Sequence, residues 1–137
     1  MAYQLEEPFF EEKGRITSQK ELGGNRMQVT FSTDGMMKGN IANITNTGDF
    51  VGASKDNMIT SAQGQGVVTT KDGSEKASYT FLGVGKVTEQ GKPEYLGSSV
   101  WSTESTGKLA FLNNMLSFFK AELDEMGNIA SKERELK

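Results

Sequence analysis

Between Arg26 and Thr33 the side chains alternate without a fault: Met27, Val29 and Phe31 fall on one face, Gln28, Thr30 and Ser32 on the other. A period of two is what a strand with one buried face produces, because successive side chains point to opposite sides of the pleat. The chain holds 16 glycines and 2 prolines in 137 residues, and the glycines punctuate runs of this kind. Gly23-Gly24, Asp34-Gly35, Gly48, Asp72-Gly73, Gly91 and Gly127 read as reversals, since glycine supplies the positive φ that tight turns demand. Signals spaced roughly 10 to 20 residues apart suit long strands. The reading is one all-β domain over residues 1–137, a small antiparallel β-barrel of about seven to nine strands. Residues 1–12, with Phe9 and Phe10 among Glu6, Glu7, Glu11 and Glu12, are either a separate N-terminal arm or the start of the first strand. The glutamates there read as a solvated face.

Other stretches refine the picture. In Tyr95–Thr103, Tyr95 and Trp101 share a face with Gly97 and Ser99 between them, the mix of small and large that a tightly curved wall requires. Gly64-Gln65-Gly66 and Gly83-Val84-Gly85 lie inside strand-like runs, where glycine permits a bulge, a bend or close packing. Two strands are apolar on both faces. In Ala77–Thr88, Tyr79, Phe81 and Val87 oppose Leu82 and Val84; in Met115–Leu123, Met115, Phe119 and Leu123 oppose Leu116 and Phe118. Such strands need cover outside the barrel as well as inside, which predicts a homo-oligomer burying their outer faces. The one helical candidate is Ser105–Asn114, a short turn near 107–114 with Leu109, Leu112 and Leu116 on one stripe. Ser131–Lys137 reads as the end of a last strand.

Absences bound the chemistry. With 0 His and 0 Cys, the chain has no imidazole to shuttle protons, no disulfide, no redox thiol and no Cys/His zinc site. Carboxylates, Lys, Tyr, Ser/Thr and backbone groups remain. The net charge is −3, and the 15 basic residues all stand singly, so no Lys/Arg stripe suits nucleic acid. No apolar run is long enough for a membrane span and the N-terminus lacks a signal-peptide pattern, which gives an expectation of a cytoplasmic protein. The acidic residues show no EF-hand spacing, and neither a metal nor a cofactor is expected.

Candidate site residues come from the aromatics. Phe81, Tyr95, Trp101, Phe111 and Phe119 have two roles open to them: lining an apolar ligand cavity, or filling the core of a narrow barrel. Tyr95 and Trp101 join an apolar body to a polar tip and are the strongest candidates for ligand contact. Asn113 and Asn114 close the helical turn, either as caps or, for Asn113, as a polar contact at a pocket mouth. Lys86 stands in Val84-Gly85-Lys86-Val87; desolvated inside a pocket it would be a base or nucleophile, and on an outer face it would only reach for solvent. Met36, Met37, Met58 and Met115 either adapt to apolar ligands or fill the core. No catalytic residue is assigned.

Gly83-x-Gly85-Lys86-Val87, then Gly97-Ser98-Ser99-Val100-Trp101, then Ser105-Thr106-Gly107-Lys108-Leu109-Ala110-Phe111-Leu112-Asn113-Asn114 follow one another in an order that resembles small barrels of the allene oxide cyclase-like superfamily. The likeness covers residues 64–123 and rests on glycine spacing and the short hydrophobic turn. It implies a barrel with an apolar interior; no position here matches that enzyme's polar site residues, so its activity is not implied. Lipocalins are a competing resemblance, but their Gly-x-Trp signature lies on the first strand, and the 1 tryptophan here, Trp101, comes late. The functional expectation is a non-enzymatic barrel for a small apolar or amphipathic molecule. The alternatives are a cyclase- or isomerase-like enzyme and a structural oligomer with a filled core. An apolar cavity of about 300 Å³ or more would favour binding, and a buried carboxylate, Lys86 or a Tyr projecting into it would favour catalysis.

Overall fold

A computed structural model describes residues 2–55 and 59–137. Eight strands follow in order: β1 (Leu5–Gly23), β2 (Arg26–Met37), β3 (Ile41–Ser54), β4 (Ile59–Thr69), β5 (Lys76–Val87), β6 (Pro93–Ser102), β7 (Leu116–Leu123) and β8 (Asn128–Leu136). Each pairs antiparallel with the next, and β8 returns to β1, closing the sheet into a barrel without a free edge. The all-β reading and the strand number both hold. The expected helical turn is a single 3-10 turn, Ala110–Leu112, within the β6–β7 connection. Leu116 is not part of it; it belongs to β7 and faces outward.

Two expected reversals are instead strand interiors. Asp34-Gly35 lies within β2 and Gly48 within β3, opposite Gly66 of β4. The β2–β3 turn falls at Gly39 and Asn40, both with positive φ. These glycines serve packing. A Cβ at Gly48 would come within 2.6 Å of Phe31 Cζ, and one at Gly35 within 2.8 Å of Phe10 Cε1. Gly85 likewise makes room for Tyr95, and Gly97 for Phe119. Each aromatic lies across a neighbouring glycine, so a narrow barrel holds many rings by alternating large and absent side chains.

Residues 5–12 form the start of β1 and not a separate arm. A register shift between Pro8 and Phe10 against β8 breaks the alternation, and Phe9 and Phe10 are both buried. They join Met37, Ile44, Val68, Trp101, Leu109, Leu112 and Met115 in the main apolar cluster. This cluster plugs the end of the barrel that carries the β2–β3, β4–β5 and β6–β7 connections. The plug is the long β6–β7 connection folded inward, with Leu109 and Leu112 at 0% exposure. Glu75 ties it down: its carboxylate accepts from Ser105 Oγ and from the Leu109 amide (3.0 Å), and these bonds hold its pKa below the usual range. Among the methionines, Met37 and Met115 are core, Met36 is exposed, and Met58 lies outside the described residues.

Candidate binding site in the barrel interior

Above the plug the inward phase of the strands turns polar. Glu12 follows Phe10 by two residues on β1, Thr33 and Asn46 sit opposite each other on β2 and β3, and Ser99, Ser117 and Glu133 continue the layer on β6, β7 and β8. All six are buried. Register pairs Glu12 with Ser131 and Phe10 with Glu133, so the two carboxylates stand on adjacent strands two residues apart along the ladder.

Two hydrogen-bond chains converge on them. Tyr79 OH donates to Asn46 Oδ1 (2.8 Å), and Asn46 Nδ2 donates to Glu12 Oε1 (2.8 Å), which also accepts from Thr33 Oγ1. On the other side Trp101 Nε1–H donates to Ser117 Oγ (2.9 Å), and Ser117 donates to Glu133 Oε1 (2.7 Å). One oxygen of each carboxylate takes all of these bonds. Ser99 Oγ faces the same group; it eases the charge on Glu133 slightly but meets no partner at hydrogen-bonding geometry.

This layer floors a cavity of about 80 Å³, walled above by Phe31, Phe50, Phe81, Tyr95 and Phe119 and rimmed by Leu123 and Ile129. The rings meet edge-on or tilted, as with Phe81 and Phe119 at 5.7 Å and 88°. No Lys or Arg lines the space among the described residues. Electrostatics follow from that omission. Burial pushes the Glu133 carboxyl up to about 8, and the neighbouring Glu12 charge adds to the effect. Burial raises Glu12 too, but Thr33 and Asn46 pull it back by bonding its charged form. Burial and both glutamates raise Tyr79 well above its ordinary value, so it stays a neutral donor. At neutral pH Glu133 therefore keeps a proton. Two acids whose surroundings push their affinities apart are a proton acceptor and a proton donor in one site.

The candidates from sequence separate cleanly. Phe81, Tyr95 and Phe119 line the cavity together. Trp101 lies below it, stacked on Tyr79 with ring centroids 4.5 Å apart, and reaches the site only through Ser117. Phe111 sits in the plug against Phe9, with Lys38 Nζ 4.9 Å over its ring. Asn113 is exposed and accepts from the Thr103 amide (3.2 Å), while its neighbour Asn114 takes the left-handed backbone. Lys86 points out of the barrel, opposite Glu94 on β6, because it is out of phase with the inward Gly85 and Tyr79. It cannot serve the interior as a base. Sequence reasoning missed Glu12 and Glu133. Glu12 is not on a solvated face, and its signal was phase: it keeps step with Phe10, as Glu133 does with Ile129. Among the described residues no group of three or more His, Cys, Asp or Glu is placed to hold a metal ion.

Fold and site define a closed eight-stranded meander barrel with an acidic floor under an aromatic chamber. Comparison with solved structures agrees with the fold. The chain is similar over its full length to a conserved protein of unknown function from Rhodopseudomonas palustris (TM-score 0.75, 14% identity, 100% of that chain). It is similar also to a beta-barrel like protein from Acinetobacter baumannii (TM-score 0.71, 13% identity, 100% of this chain and 98% of that one). No family model matches the chain. No curated protein matches it. No helix among the described residues is long and apolar enough to cross a membrane.

Proposed function

We propose that the protein binds a small amphipathic molecule in the upper half of its barrel. The supporting observation is the floor: Ser99, 1% exposed and with its hydroxyl at no hydrogen-bonding geometry, beside two buried carboxyl groups with no basic residue opposite. Polar groups left unmatched in an apolar interior cost stability, and natural cores avoid them unless something else satisfies them. The cavity, at about 80 Å³, is well short of the roughly 300 Å³ of a drug-sized site. The occupant is therefore a molecule of a few heavy atoms, head on the floor and tail among the rings. Native mass spectrometry of freshly purified protein tests this: a small mass lost on denaturation supports it, and a bare chain in every preparation counts against it.

The paired carboxyls favour a second reading, a proton-transfer enzyme of the isomerase kind with Glu12 as base and Glu133 as acid. Kinship with allene oxide cyclase-like barrels belongs to this reading. If a recovered molecule is turned over, Glu12→Gln should slow the reaction about 100-fold or more; unchanged turnover removes the reading.

The expected homo-oligomer is also proposed. Leu82 and Val84 of β5, Leu96 and Val100 of β6, and Leu116 and Phe118 of β7 stand exposed side by side on the outer wall. A second copy covering that wall would be seen as a dimer mass in sedimentation, and a 15 kDa species at all concentrations would end the idea.

A further inference from the structure

We infer that the ligand of this barrel is a small primary ammonium, its three N–H groups taken by Glu12, Glu133 and Ser99. The inference rests on the binding reading above and names its substrate class. Geometry carries it. The hydrogen bonds from Thr33, Asn46 and Ser117 all end on Oε1 of one or the other carboxyl, which leaves the Oε2 side of each toward the cavity, with the Ser99 hydroxyl beside that of Glu133. Ser99 Oγ is a third oxygen on the same floor, buried and unpartnered. The floor thus presents two carboxyl groups and one hydroxyl, all rich in acceptor oxygens, with no basic side chain opposite them. A carboxylate or phosphate head would bring further negative charge beside two buried acids with no cation in the lining, and an alcohol brings one donor and no positive charge. An ammonium has three donors and no acceptor, and it supplies the positive charge that the interior lacks. The chamber above suits it too, since the faces and edges of Phe31, Phe81 and Phe119 surround a short alkyl tail and tolerate a nearby cation.

Binding is coupled to protons. The titratable groups facing the pair come from four strands: β1 and β8 bring Glu12 and Glu133, and β5 and β6 bring Tyr79 and Tyr95, while β2, β3, β4 and β7 bring Thr33, Asn46, Ala62 and Phe119, which do not titrate. Both tyrosines are held above their ordinary range and remain neutral. An entering ammonium therefore displaces the proton that Glu133 holds at neutral pH, and affinity rises with pH through that titration.

The chain reports on this itself. Its 1 tryptophan gives one indole N–H resonance, and that N–H is bonded through Ser117 to Glu133. Isotope-labelled protein is titrated with n-propylammonium chloride, 1-propanol and sodium propionate at matched ionic strength, at pH 6 and pH 8. Propylammonium is expected to shift the resonance saturably, at least tenfold more tightly than propanol, with propionate silent, and several-fold more tightly at pH 8. Glu133→Gln should lose at least tenfold in ammonium affinity and keep that of propanol. Equal binding of propanol and propylammonium overturns the ammonium assignment and leaves the binding barrel standing. Silence from all three probes overturns both. The selectivity and pH dependence of the unaltered chain decide the matter even if the Gln variant does not fold.

Discussion

The two ends of the barrel are built from one alternation but finished differently. At the plugged end Phe10, Met37, Ile44, Val68 and Leu112 are exposed by 1% or less. At the aromatic end Phe31, Phe50, Tyr95 and Ile129 are half-buried around unfilled space. The cause is a difference in connections. The β6–β7 segment is long enough to fold Leu109, Leu112 and Met115 back into the bore, and Glu75 fastens it there. The β1–β2, β5–β6 and β7–β8 turns at the other end are tight, organised around Gly24, Gly91 and Gly127, and they bring no apolar side chain inward. Stability is thus concentrated at one end, which frees the other to keep a cavity and a layer of buried charge that a uniformly filled core would exclude. A protein can spend its packing unevenly, and where it does, the underpacked half is the place to look for function.

That contrast can be broken by substitution. Trp101→Ala removes the largest side chain of the plugged half, and urea unfolding should register a loss of about 3–5 kcal/mol, with cavity formation adding to lost burial. Gly66→Ala attacks the seam between the halves, where a new Cβ would meet the Tyr79 ring at 2.5 Å. Overpacking of that kind costs about 1–3 kcal/mol, and displacing Tyr79 should also detach it from Asn46, visible in the near-ultraviolet circular dichroism. Tyr95→Ala, at the aromatic end, should cost only about 1 kcal/mol because its ring is half-buried already. A cost as large as that of Trp101→Ala would erase the distinction between the ends. Lys86→Ala lies outside both and should change stability by less than about 0.5 kcal/mol, leaving ligand binding untouched.

Much of the architecture was legible in the sequence. Met27, Val29 and Phe31 give β2 directly, and the two-faced run Leu116–Leu123 shows both an inward row and an outward apolar row, as found. Asp34-Gly35 misled because a turn dipeptide and a glycine that makes room for a ring are the same letters; only the neighbour, Phe10, tells them apart. The site was harder. Phe81, Tyr95 and Phe119 stand out in the sequence as large aromatics and do line the cavity, but Trp101 and Phe111 stand out equally and belong to the plug. Glu12 and Glu133 were hidden by their company, since Glu11 and Arg134 beside them are surface charges and a charge run reads as solvated. Phase is the signal that exposes them: counted from Phe10, the alternation of β1 carries Glu12 inward. Which oxygen of each carboxyl is left toward the cavity depends on β2, β3, β6 and β7 together, and no local pattern carries that.

The middle of the barrel holds a protonated carboxylic acid without a counter-charge, and the pH dependence of stability reads that proton out. Glu133 has a folded pKa of about 8 against an ordinary value of 4.5. Below 4.5 folded and unfolded chains both hold the proton and the stability is full. Between the two values only the folded chain holds it, so stability falls as pH rises, by up to about 1.4 kcal/mol per pH unit, and levels off above pH 8. With 0 His in the chain, the window is free of imidazole titration, and Glu12, also raised by burial, adds a decline of the same sign. Urea unfolding from pH 5 to pH 8.5 should show this decline in the natural chain and a clearly shallower one, with higher stability at pH 8, in Glu133→Gln, where only the Glu12 contribution remains. A natural chain whose stability is constant or rises across that range would contradict the account.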